Sequence, residues 1–409
     1  MDTTYLLNSI WVLCAAVFVF MMQMGFACCE SGFSRSKNAC NIWLKNFCDF
    51  CVGAIVYYFI GFGIMYGEDW HGLIGVSGFF NPLDQDLGIW DSLEGSLSPQ
   101  IYLLFQTMFC ATTATIISGA VAERFRFDSY LLVSVVMTAF IYPVVGHWVW
   151  GGGWLSQIGF ADFAGSAAVH SVGGLAALVG AITVGPRIGK YSGSRVHAFP
   201  GHNIPMAMLG GFILWVGWYG FNPGSELALD EVTFYTAVTT TFAGCAGGLT
   251  ALFYTWFRYK KPDPTLAMNG ALGALVAICT GVAEVSYGGA IATGVVAGIL
   301  LPFSVEMLDN KFHVDDPAGA ISLHGTCGIA GTILAGFLSR ENGLLYGFGA
   351  DRLLVQLLGI VSIAAFVLIT TRIVFVVLKK TIGIRVSSAT ELEGLDIREH
   401  GMVAYPEKY

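Results

Sequence analysis

Eleven apolar stretches organise the chain, at roughly 6–29, 46–67, 100–122, 129–150, 163–185, 203–221, 233–257, 267–283, 287–306, 318–338 and 351–378. Each is long enough, or nearly so, to cross a hydrocarbon layer ~30 Å thick as a helix rising ~1.5 Å per residue. The eighth is short and rich in Gly and Ala. Composition agrees: 55% of the 409 residues are hydrophobic and 12% charged, with a mean hydropathy of +0.67, whereas a soluble chain carries about 25% charged residues. The sequence therefore predicts an all-α polytopic membrane protein with eleven transmembrane helices in a lipid bilayer. The 52 glycines suit helices that approach closely at small-residue faces. No basic region or small-residue cleavage site precedes the first apolar run, so it reads as a retained helix.

Charge orients this bundle. With the N-terminus outside, the inward ends carry Arg35, Lys37, Lys45, Arg124, Arg126, Arg187, Lys190, Arg195, Arg258, Lys260, Lys261 and Lys311, followed by Arg372, Lys379, Lys380, Arg385, Arg398 and Lys408. Only Arg340 and Arg352 fall outside. Lys and Arg are retained in the cytoplasm during insertion, so the bias predicts N-terminus outside and C-terminus inside. The outer loop at 68–99 agrees, with Glu68, Asp69, Asp84, Asp86, Asp91 and Glu94 and no Lys or Arg.

One motif occurs twice: Asp162-Phe-Ala-Gly-Ser-Ala-Ala-Val-His170 and Asp316-Pro-Ala-Gly-Ala-Ile-Ser-Leu-His324 share the pattern D-x-A-G-x-x-x-x-H. In this topology the first copy starts outside and the second inside. Segments one to five and six to ten then form a 5+5 inverted repeat, about 1–190 and 200–340, plus an extra helix at about 351–378. Residues 1–380 read as the transmembrane domain and 381–409 as a cytoplasmic C-terminal tail. Each repeat Asp can cap a helix start. Eight residues of helix would then carry each His ~12 Å inward, so that His170 and His324 meet near the midplane.

Two imidazoles hydrogen-bonded to each other could simply hold the halves together. Matching positions in both repeats favour a functional stripe instead, because intramembrane polar residues are costly and mark pathways. Imidazole both donates and accepts, so a pair can relay a proton or bind a small amine. Asp162 reads as a cap whose charge also draws cations to the outer mouth. Trp150, Phe109 and Phe221 gather on the outer side, with Ser225 just beyond as a hydroxyl acceptor. From composition alone an interfacial aromatic belt explains these rings better than a cation site does.

Other chemistry finds little support. The net charge of −8 leaves no basic patch for nucleic acid. The ten cysteines lie in or beside apolar segments, and Cys48-x-x-Cys51 has no second pair at metal-site spacing. There is no H-E-x-x-H or G-x-S-x-G, so neither an enzyme, a metal site nor a cofactor is indicated. His71, His147, His197, His202, His313 and His400 lie in loops or near helix ends and receive no role.

Along nearly its whole length the chain resembles the Amt/Mep ammonium transporters, relatives of the Rh glycoproteins. The likeness rests on Met22-Gln-Met-Gly-Phe-Ala, Glu30-Ser-Gly, Lys37-Asn-Ala, Gly119-Ala-Val-Ala-Glu-Arg124 and Trp150-Gly-Gly-Gly-Trp154. It continues through Asp162-Phe-Ala-Gly, Gly220-Phe-Asn-Pro-Gly-Ser225, Asp315-Asp316 with His324-Gly, and Gly394-Leu-Asp with Glu399-His-Gly. The resemblance implies a homotrimer in the plasma membrane with one pore per subunit. It implies an outer ammonium site at Phe109, Trp150 and Ser225, a gate of Phe109 and Phe221, twin histidines at His170 and His324, and a structural acid at Asp162. It also implies a tail that communicates between subunits and cooperates with PII-type signal proteins. Some members carry a further acid shortly before the second His, where this chain has Gly319. Transport is the main expectation, with ammonium recruited, deprotonated and passed as ammonia. An ammonium sensor signalling through the tail or a fused module is the alternative.

Overall fold

The computed structural model describes residues 2–193 and 195–406; Lys408, counted above among the inward charges, lies outside them. Among the described residues ten helices are long and apolar enough to span: α1 Thr3–Phe33, α2 Ser36–Tyr66, α3 Pro99–Val121, α4 Phe127–Gln157 (broken at 150–153), α5 Ser166–Val184, α6 Ile204–Phe221, α7 Glu231–Tyr259, α9 Tyr287–Asn310, α10 Ile321–Leu338 and α11 Asp351–Thr381. The eighth apolar segment is α8, Pro264–Ile278, a shorter apolar helix. It starts properly, with Asp263 accepting from Thr265 and Leu266 N–H at 2.8 and 3.2 Å.

Small residues decide how the halves meet. α1 packs along α6, where a methyl on Gly25 would lie 3.0 Å from the Gly210 carbonyl oxygen and one on Gly210 only 2.5 Å from Cys29 N. Further into the bundle a methyl on Gly174 would sit 2.1 Å from Gly325 N. Backbones this close require glycine, and the contact joins α5 to the start of α10. α11 lies against both α5 and α10, outside the two five-helix sets.

Charged residues collect at one end of the bundle. Arg187 bonds Asp315 at 2.8 Å and Glu123 at 2.5 Å, and Arg35 also pairs with Glu123. Burial pushes the Asp315 carboxyl up, but hydrogen bonds from Arg187 and the charges of Arg124 and Arg187 outweigh it and leave the group at about 2. The tail closes over this end through two short helices, α12 Ser388–Glu393 and α13 Leu395–His400. Asp396 accepts from Cys40 and Asn41 N–H at 3.0 and 2.8 Å, capping the helical part of α2. Glu391 accepts from Ile188 N–H at 2.6 Å and from Arg385 at 2.8 Å. Arg352, assigned to the opposite side by the charge pattern, pairs with Glu284 at 3.1 Å.

Candidate functional site

Both repeat motifs fold alike. Gly165 and Gly319, the shared fourth positions, have φ of +107° and +72°, a left-handed backbone that explains why the motif holds glycine there. After each glycine the helix opens with a π turn, Ser166–Ser171 and Ile321–Thr326, and each turn carries its His. Such single wide turns recur at functional sites. The eight residues of helix expected before each His are therefore fewer: Asp162–Gly165 is a turn, and helical geometry starts at Ser166.

Asp162 caps this start fully. Its Oδ1 accepts from Gly165 and Ser166 N–H at 3.0 and 2.9 Å, and its Oδ2 from Ala167 and Ala168 at 2.8 and 2.9 Å. The Thr280 hydroxyl donates to Oδ1 at 2.7 Å, tying the cap to the end of α8. Asp316 plays the same part with fewer bonds, accepting from Ile321 N–H at 2.7 Å.

The two histidines meet: His170 Nδ1 and His324 Nδ1 are 3.1 Å apart, with rings stacked at 5.2 Å. One Nδ1 must donate and the other accept, so the rings are opposite tautomers. One Nε2 is then a bare acceptor and the other an N–H donor. His170 Nε2 is buried with no hydrogen-bond partner.

Aromatic rings continue the column outward. Phe221 stacks on His170 at 5.0 Å, and Phe109 stacks on Phe221 at 4.1 Å. Trp150 meets Phe109 edge-on at 6.4 Å and is held by an indole N–H bond of 2.8 Å to the Asp162 carbonyl. Above the phenylalanines is a cavity of about 210 Å³ lined by Phe109, Trp150, Ser225, Gln106 and others. Ser225 donates its hydroxyl hydrogen to the Phe221 carbonyl at 2.7 Å, leaving its lone pairs available as acceptors. Phe109 and Phe221 are 2% and 0% exposed, so the column is shut at the stacked rings. Below His324 is a narrower cavity of about 30 Å³ that includes Phe26, Glu30 and Asn269.

Sequence reasoning missed three contributors. Gln106 has a buried Oε1 without a partner, three residues before Phe109 on the same helix face. Trp218 stacks on His170 at 5.6 Å, three residues before Phe221. Helical spacing from the named phenylalanines would have found both. Glu30 reads from sequence as a residue near a helix end, yet it is only 3% exposed and lines the inner cavity.

Spanning helices around a buried column with a cavity at either end define a multi-pass membrane protein of the transporter class. The chain belongs to the ammonium transporter family: the sequence pattern of the "Ammonium Transporter Family" matches residues 10–405. It is 41% identical over 424 residues to the ammonium transporter Amt2 of Archaeoglobus fulgidus, covering 97% of this chain and 88% of that relative. Among solved structures it is similar to one titled "Sensor Amt Protein", with a TM-score of 0.91, 36% identity and coverage of 97% and 99%. Mep2 of Candida albicans superposes with a TM-score of 0.87 at 28% identity, covering 98% of this chain and 90% of Mep2. Ammonium transport across the membrane is the function this membership supports.

Proposed function

We propose that this chain admits ammonium from its outer cavity and passes it inward as ammonia along the His170–His324 pair. The observation that carries this reading is the unbroken column Phe109–Phe221–His170–His324 between two cavities. In the outer cavity a cation is stabilised by the faces of Trp150 and Phe109 as it sheds water. Its N–H groups find acceptors in Ser225 Oγ and Gln106 Oε1. Between the stacked rings and His324 no carboxylate among the described residues hydrogen-bonds to either imidazole, so carrying the full charge past the pair is costly, whereas neutral ammonia is not. The proton leaves ammonium at the gate. Ammonia can accept from one Nε2–H and donate to the other bare Nε2 as it passes. Potassium has no proton to release and no N–H to donate, so the same path rejects it.

The eighteen inward Lys and Arg support an orientation with the N-terminus outside and the tail in the cytoplasm. We take residues 1–380 as the membrane unit and 381–409 as its tail, three copies as the assembly, and a PII-type protein as a candidate partner of the tail. A second reading, an ammonium sensor, is favoured by the similarity to the "Sensor Amt Protein" and by the bonds that fasten the tail to the pore's charged end. Ammonium uptake into vesicles containing the purified protein separates the two.

A further inference from the structure

Glu30 is a carboxylate in the wall of the inner cavity, and His324 lines the same space. Ser118 Oγ and Asn46 Nδ2 both donate to its Oε2, at 2.7 and 3.1 Å. Oε1 receives no hydrogen bond among the described residues, and a methyl on Gly119 would come within 3.5 Å of it. Lys45 is fully buried with its Nζ unpartnered, and its charge acts on Glu30. Asp49, equally buried, is occupied by the Tyr130 hydroxyl at 2.6 Å. The cavity that Glu30 and His324 both line, about 30 Å³, is large enough to hold water. Nothing in the proposed transport path yet uses this acid.

We propose that Glu30 is the inner proton acceptor of the pore, a role that rests on the His-pair reading above. An N–H bond of ammonium breaks at the inner side of the Phe109–Phe221 gate, its electron pair staying on ammonia, and the proton joins the bare Nε2 of His170. His170 passes its Nδ1 proton to His324 Nδ1. His324 releases its Nε2 proton through one water to Glu30, where an O–H bond forms. Both imidazoles end neutral in exchanged tautomers, and Glu30 returns its proton to water on the cytoplasmic side. The hydrogen bonds that Ser118 and Asn46 donate to Oε2 hold the carboxylate in place between turnovers. Gly319 supplies no acid at this end; here the acid comes from α1, in the other half of the repeat.

The test uses the full chain reconstituted in lipid and compares Glu30→Gln and Glu30→Asp with the parent. In the parent, adding ammonium evokes a current and an infrared difference band of a protonated carboxyl. In Glu30→Gln the current falls by about 10²-fold and that band is lost, while neutral ammonia entry, followed by vesicle pH, persists. Glu30→Asp keeps a band at a shifted position. An undiminished current or surviving band in Glu30→Gln overturns the proposal. If Glu30→Gln does not reach the membrane, an unshifted band in Glu30→Asp overturns it equally. A parent passing ammonia without current also contradicts this role yet leaves the pore intact. A parent passing neither contradicts the pore reading itself.

Discussion

His170 and His324 face each other through like atoms, Nδ1 to Nδ1 at 3.1 Å. Two identical tautomers cannot make that bond, so one ring offers an Nε2 acceptor and the other an Nε2 donor. The pair is polar, uncharged and shielded by Phe221 and Trp218 on the outer side. In the proposed pathway that neutrality favours ammonia as the passenger over a bare cation.

Replacing either histidine by Asp removes that neutrality. His170→Asp and His324→Asp are expected to admit potassium, which the proposed pathway excludes in the unaltered protein. A fixed charge that lowers the barrier by ~1.4 kcal/mol already raises the rate about tenfold. Potassium-evoked current in planar membranes measures this, and no change in both variants would remove the pair from the selectivity mechanism.

Trp150→Leu takes away a ring face and the bond to the Asp162 carbonyl. Cation–π contacts are worth ~0.5–2 kcal/mol, so half-saturation should need about 2- to 30-fold more ammonium. Concentration dependence of uptake gives the value, with unchanged thermal unfolding as the control. A misfolded variant would instead assign Trp150 to the interfacial belt.

Asp162→Ala leaves four buried N–H groups, Gly165 and the first three of the π turn, without their acceptor. Several unsatisfied donors at ~1–3 kcal/mol each should lower stability by about 4 kcal/mol or more. Asp162→Asn keeps one acceptor oxygen and should lose less. Thermal unfolding in detergent ranks the three proteins, and equal midpoints would contradict the capping role.

The two halves of the site differ in how far the sequence reveals them. The D-x-A-G-x-x-x-x-H repeat identifies Asp162, His170, Asp316 and His324 because capping chemistry and a left-handed glycine leave a local signature. The aromatic residues are legible only through family resemblance, since a belt and a binding site use the same rings. Trp218, Gln106 and the burial of Glu30 depend on which helix faces cross, which hydropathy does not encode. The π turns are equally hidden, because hydropathy carries no signal for a widened first turn after each Asp cap.

Gly174→Ala tests that fit. Its methyl would fall 2.1 Å from Gly325 N, so α5 and α10 must separate, at a cost of ~1–3 kcal/mol. The His pair moves with them, and reduced ammonium flux together with a lower unfolding temperature is the expected result.

Acid should loosen the charged end before the helices. Asp315 is held at about 2, below the ordinary carboxylate value, so its contribution is full above the unfolded value near 3.9. It disappears as pH falls through about 2, a loss of roughly 2 kcal/mol. Arg187→Gln should weaken this dependence, leaving the part due to Arg124, and unfolding followed across that pH range checks it.

Flux tests the central claim most directly. Vesicles containing the purified protein, given ammonium and then potassium while interior pH and membrane current are recorded, should show a saturable response to ammonium alone. That response should lose its selectivity when His170 or His324 becomes Asp. Saturable ammonium binding without any flux would contradict the transport account and establish the chain as a sensor.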